Sequence, residues 1–299
     1  MIKRDVSHFL CLISLTILFI SCGTQGTDTT QSTVHENILI EGSTALQPFI
    51  SRIANTFEKQ TVQVTAKVKG GGSNIESVVS IQVQGGGSLT GLNAIMQQKA
   101  DISMTDVYAD PATYSSPSIT SEIVIVIPYT LIVNPDLSSI QSLTILQISD
   151  IFSGRKTQNW EEIGGPNLPV VPISMSSDGT PTNFQTAILN GNLESGTPVA
   201  DTSSTSVLNA VAQTPGAIGY IATPLLNSTV RTVAIDQLTA TPDNIESNRY
   251  RFWTYGHLYT LKNSDANITA FFNYALTPSA QQVAKSLGYI PLASTKPLT

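Results

Sequence analysis

The chain has 299 residues, 41% of them hydrophobic, a formal net charge of −6 and only two cysteines. That apolar content suffices for a full core without covalent staples, and beyond the leader described below roughly 260 residues exceed one comfortable core, so two lobes are expected. Lysines and arginines stand singly or in pairs in an acidic chain, which excludes a basic surface for nucleic acid or anionic lipid.

Lys3 and Arg4 precede an apolar run from Phe9 to Ile20 that ends in Ile20-Ser21-Cys22-Gly23. The run is shorter than the roughly 20 residues a bilayer core demands, so residues 1–21 read as an export signal. Phe19-Ile20-Ser21-Cys22 resembles the bacterial lipobox, in which the cysteine is acylated and becomes the first mature residue. Cys22 is therefore the expected lipidation site; the alternative is an ordinary signal peptide with an accidental cysteine. Cys11 departs with the leader, so no disulfide is expected. The leader also removes Lys3, Arg4 and Asp5, a net +1, which makes the mature chain one unit more negative than −6. Residues 22–35, rich in Gly, Thr, Ser and Gln, read as a flexible tether. A monomeric lipoprotein, membrane-anchored in the periplasm or on the cell surface, is the expected product.

Next come a short strand, Ile38 to Ile40, and apolar residues at helical spacing, Ile50, Ile53, Ala54 and Phe57. Further strands are expected at Val62 to Val68, Ile81 to Val83 and Ile102 to Met104. Ser121 to Val133 is a long apolar run broken by Pro128, as in strands covered on both faces by helices. The alternation predicts an α/β protein.

Three strand-to-helix junctions share one character. Ile40-Glu41-Gly42-Ser43-Thr44-Ala45 leads into a helix with Pro48 in its first turn. Gly85-Gly86-Gly87-Ser88 opens a second helix, and Ser176-Ser177-Asp178-Gly179-Thr180-Pro181-Thr182-Asn183-Phe184 a third. Each presents free backbone N–H groups, hydroxyls and the positive end of a helix dipole, which together suit an anion. One such junction is ordinarily a plain helix cap. Three point to a shared ligand.

In order and spacing, several segments resemble the periplasmic phosphate-binding proteins that feed ABC importers. They are Glu41 to Pro48, Val83 to Gly91, Ala100 to Asp106, Ile151 to Arg155 with Trp160 to Gly165, Pro215 to Tyr220, and Gly288 to Leu292. The resemblance implies a two-lobed α/β periplasmic-binding-protein fold, each lobe a mixed, mostly parallel sheet flanked by helices. Lobe I would comprise 36–126 plus 257–299 and lobe II 127–256, joined by a strand hinge. It further implies inorganic phosphate in the cleft and delivery to ABC importer membrane subunits. Carried over position by position, Thr44, the Ala45 N–H, Ser88, Thr180, Pro181 and Thr182 take the donor places. Asp106 takes that of a carboxylate accepting from the protonated phosphate oxygen. Sulfate has no such proton, so a buried carboxylate would reject it.

Two positions depart from the family. Ser176 stands where an arginine is usual, and Pro181 replaces a glycine whose N–H would donate. Unreplaced, these losses would weaken binding by roughly one to three orders of magnitude. Lys67, Lys69, Arg155 and Arg251 are the candidate substitute cations. The extra Gly70-Gly71-Gly72-Ser73 run reads as a surface hairpin without a role.

Two rival classes remain open to the sequence. An enzyme would need a base, and after His8 leaves with the leader and His35 falls in the tether, only His257 could serve. No nucleophile-elbow or phosphate-loop motif occurs, no His, Cys or carboxylate cluster has metal-ligand spacing, and no cofactor is implied. The second rival is a two-lobed surface lipoprotein that binds another ligand or none and acts as a sensor or adhesin.

Overall fold

A computed structural model describes residues 32–61, 65–66, 75–114, 118–154, 157–175, 179–192, 194, 197–199, 203–262 and 264–292. The leader, Cys22, Lys67, Lys69, the Gly70–Ser73 run, Arg155 and Ser176 lie outside the described residues. In chain order the elements are β1 (Ser32–Gly42), α1 (Gln47–Thr61), β2 (Thr65–Ala66), β3 (Ile75–Gly85), α2 (Ser88–Met96), β4 (Ile102–Thr105), β5 (Ile119–Val133), β6 (Ser142–Leu143) and α3 (Ile145–Phe152). They continue with β7 (Val171–Met175), α4 (Gly179–Ala187), β8 (Thr197–Val199), α5 (Ser204–Gln213), β9 (Ala217–Ala222), β10 (Arg231–Ile235), α6 (Pro242–Glu246), β11 (Trp253–Leu261), α7 (Ala266–Ala275) and α8 (Pro278–Ser286). None of these helices is long and apolar enough to cross a membrane.

The strands run in the order β2-β3-β1-β4-β11-β5-β9-β7-β8, with β10 and β6 off this path. Parallel pairs, β1 with β3 and β4 and β7 with β8 and β9, lie in both halves, and antiparallel β11 and β5 run through the middle. The protein is thus a two-lobed α/β molecule with a mixed sheet. One strand serves both halves: β5 pairs with β11 from Ile119 to Pro128, then with β9 from Tyr129 to Val133. Pro128 lacks an N–H to donate, and it sits where the hydrogen-bonded neighbour changes, which is where a strand tolerates it.

Two elements differ from the sequence expectation. β1 begins at Ser32, so residues 32–35, expected in the tether, are strand paired in register with Ile75 to Val78 of β3. That pairing is between main chains of segments more than forty residues apart, which the local residue pattern does not encode. Of the strand expected over Val62 to Val68, β2 occupies Thr65–Ala66, antiparallel to β3.

α1 buries Ile50, Ile53, Ala54 and Phe57, the stripe read from its spacing, and Phe49 beside them. The core beside the shared strand is aromatic. Phe184 of α4 stacks on Tyr220 at 4.1 Å and tilts against Phe152 and Phe252, and Phe252 stacks on Tyr129 at 5.1 Å. Phe184 is fully buried, so Phe184→Ala should cost about 3–5 kcal/mol of stability. Leu146→Ala, at a side chain 78% exposed, should stay within about 0.5 kcal/mol of wild type. Urea denaturation of both variants checks this.

Candidate anion-binding cleft

The first junction is built on a close main-chain approach. Gly42 has φ +146° and a Cβ there would lie 2.0 Å from the Met104 carbonyl oxygen, so no other residue fits. The chain then anchors through Ser43 N–H to Met104 O at 2.7 Å, and the second junction through Gly87 N–H to Gly42 O at 2.9 Å. At Gly91 of α2 a Cβ would lie 2.3 Å from the Glu41 carbonyl oxygen, so α2 is pressed directly against the end of β1. These approaches bring the starts of α1 and α2 side by side at the end of β4.

Asp106, just past β4, has no solvent exposure. The Ser88 hydroxyl donates to its Oδ1 and accepts from its N–H at 3.0 Å. The Tyr129 hydroxyl donates to Oδ2 at 2.5 Å. The Asp106 carbonyl accepts from Asn183 Nδ2 at 2.7 Å and from Thr254 Oγ1 at 3.1 Å. Ser88, expected as a ligand donor, thus directs its proton to the carboxylate and leaves the helix-start N–H groups of α2 as what that junction offers an anion.

Thr44 faces the opposite lobe. Its Oγ1 lies 3.1 Å from Ser204 Oγ and accepts from Ser204 N–H at 3.3 Å, at the start of α5, whose N-cap is Ser203. The Ala45 N–H points to Ser43 Oγ at 3.2 Å. In α4, Thr180 lies in the first turn, Pro181 is buried and Thr182 is exposed. Pro181 occupies a first-turn place whose N–H has no partner within a helix, so the turn tolerates it. Thr44 to α5 and Asp106 to Asn183 of α4 are two contacts across the cleft, so the lobes stand closed on one another.

The structure therefore gathers Thr44, Ser88 and Asp106, places Thr180 in a helix start on the other side, gives a contact to Asn183 of the third junction, and adds residues not singled out from sequence: Tyr129, Ser204 and Thr254. The hydroxyl run Thr202 to Ser206 was a fourth helix-start signal of the same kind, lacking only the glycine. Arg251 does not supply the missing cation. It is exposed and lines a separate groove of about 340 Å³ with Asp236, Arg249 and Tyr250, which includes none of Thr44, Ser88 and Asp106.

His257 is buried, with its Nε2 unpartnered among the described residues and its ring against Tyr108 at 4.4 Å. Burial pushes it down to about 4, against the opposing pull of Asp106. Ser88 gives its proton to Asp106 and not to His257, so the three do not form a nucleophile–base pair. No group of three potential metal ligands occurs among the described residues.

Hydroxyl-bearing helix starts of two lobes, closed over a buried carboxylate, define the class of two-lobed α/β binding proteins. Over residues 25–279 the chain matches the family model of the PBP superfamily domain, and it belongs to that superfamily. Among curated relatives it is 28% identical to the phosphate-binding protein PstS of Bacillus subtilis (strain 168), across 87% of this chain and 82% of that one. The fold resembles that of a Clostridium perfringens protein crystallised with bound phosphate and provisionally assigned as a phosphate ABC transporter substrate-binding protein. The TM-score is 0.73 at 22% identity, covering 86% of this chain and all of that one (100%). An ABC-type phosphate transport receptor from Vibrio cholerae aligns with TM-score 0.63 at 21% identity, over 86% and 100% of the two chains.

One carboxylate outside the cleft is pushed well above its usual range by burial. Glu194 accepts from the Tyr220 hydroxyl at 2.8 Å, and burial raises it from its usual 4.5 to about 7 in spite of that hydrogen bond. Its stabilising contribution is complete below about 4.5 and is lost as pH rises towards 7, at a cost of about 3 kcal/mol. His257 has the opposite sign: its folded value of about 4 lies below the usual 6.5, so stability is lost as pH falls through that window. Glu194→Gln should match wild type in urea midpoint at pH 4 and exceed it at pH 8.

Proposed function

We propose that this protein binds inorganic phosphate in the cleft and delivers it to the membrane subunits of an ABC importer. The observation that carries the reading is Asp106, a carboxylate removed from water and held by two hydroxyls beside the starts of α1 and α2. A protonated phosphate oxygen can donate to it; sulfate has no proton to give and would set two like charges together, a penalty of several kcal/mol. Helix-start N–H groups and Thr44 supply donors suited to the remaining oxygens. The relatives named above as phosphate-binding support the same ligand. Thr180 and Thr182, with Pro181 between them, are assigned to the α4 side of the site, and the Ala45 N–H to the α1 side once it turns from Ser43.

The site has no catalytic role in this reading, because the cleft serine gives its proton to the carboxylate and not to His257. The lobe boundary is placed where β5 passes from β11 to β9, close to the bounds 36–126 with 257–299 and 127–256. The lobes close by bending there, which desolvates the anion, and the closed form is what the importer recognises. The protein is exported, anchored as a monomer by lipid on Cys22.

Calorimetric titration of the mature chain, stripped of ligand by unfolding and refolding, should give one-to-one phosphate binding at micromolar or tighter affinity, with sulfate silent. Absence of heat with any tetrahedral anion would sink the reading and favour the ligandless surface lipoprotein. Asp106→Asn should lower the phosphate-to-sulfate affinity ratio by at least about tenfold; equal loss for both anions would count against the carboxylate's role. Cys22→Ser should move the protein from the membrane fraction to the soluble one on fractionation of the producing cells.

A further inference from the structure

Tyr129 is the residue at which β5 changes partners: Pro128 is the last paired with β11 and Tyr129 the first paired with β9. Both crossing segments are fastened there. The Tyr129 N–H donates to Phe252 O at 3.0 Å, its carbonyl accepts from the Tyr250 hydroxyl at 2.7 Å, and its ring stacks on Phe252 at 26°. The ring is fully buried in a strand of Val, Ile and Leu, where phenylalanine would fill nearly the same volume. Core packing therefore gives no reason for the hydroxyl. That hydroxyl donates to Asp106 Oδ2 while Ser88, on α2, holds Oδ1.

We propose that Tyr129 is the positioning residue for anion selection, locking the Asp106 carboxylate in one orientation and tying that orientation to the crossing between the lobes. A carboxylate gripped at both oxygens from two different elements cannot swing away from a like-charged ligand oxygen, so an anion without an O–H donor is rejected. With one grip removed the group turns, or admits water, and the rejection weakens. The proposal rests on the phosphate reading above and names the residue that sharpens it.

The test uses the full mature chain in detergent, titrated with inorganic phosphate and with sulfate. Tyr129→Phe keeps the stack on Phe252 and removes only the hydroxyl. Expected are a melting temperature lowered by several degrees with the fold retained, because one buried carboxylate oxygen loses its donor, a phosphate affinity lowered about tenfold and a phosphate-to-sulfate ratio lowered at least as much. Combined with Asp106→Asn, it should cost no further selectivity, because the hydroxyl acts through that carboxylate. An unchanged ratio in Tyr129→Phe, or selectivity losses that add in the double variant, overturns the proposal. Should Tyr129→Phe fail to fold, 3-fluorotyrosine at 129 keeps the ring and strengthens the donor; it must raise the ratio, and an unchanged ratio overturns the proposal equally. A wild-type protein that takes up no phosphate overturns the phosphate reading and this one with it, whereas a discriminating wild type with an indifferent Tyr129→Phe overturns this one alone.

Discussion

A carboxyl group taken wholly out of water must have its oxygens met by donors, and the cost of leaving one unmet grows as the surroundings become less polar. Asp106 meets that demand from α2 and β5, while its own carbonyl is held by α4 and β11. Four elements from different parts of the chain are thereby fixed relative to one residue. The placement of the helix starts, the closure of the lobes and the position of the shared strand all converge on that point.

The surrounding architecture is what makes such convergence affordable. Gly42 and Gly91 let backbone touch backbone where the first two junctions meet, so that two helix starts open on the same small volume. On the other side the aromatic group of Phe152, Phe184, Tyr220 and Phe252 ties α4 to the shared strand through Tyr129. α4 is thus packed against the strand that the two halves share.

Much of the candidate site was legible because its signals are short in sequence. Gly42 to Ala45 and Gly85 to Ser88 show glycine, hydroxyl and helix start within a few residues, and Asp106 follows directly on an apolar strand. The contacts that complete the site join residues far apart: Thr44 with Ser204 at a separation of 160, Thr254 with Asp106 at 148, Asn183 with Asp106 at 77. No local pattern encodes such pairs. Tyr129 was hidden for a related reason, since within a continuous apolar strand a tyrosine reads as one more core residue. The same blindness affected residues 32–35, whose strand comes from main-chain pairing with β3, more than forty residues away.

What the sequence by itself determined is the α/β class, the buried stripes of the helices and the anion-suited character of its strand-to-helix junctions. Each follows from periodicity, capping chemistry and glycine placement within a single turn or strand. Only the tertiary structure decided which junctions meet, that Ser88 serves the carboxylate before any ligand, and that a strand tyrosine at the lobe crossing grips the same group. Those outcomes depend on strand order and register, which place residues a hundred or more positions apart within hydrogen-bonding distance, and neither quantity is written in the local pattern of side chains.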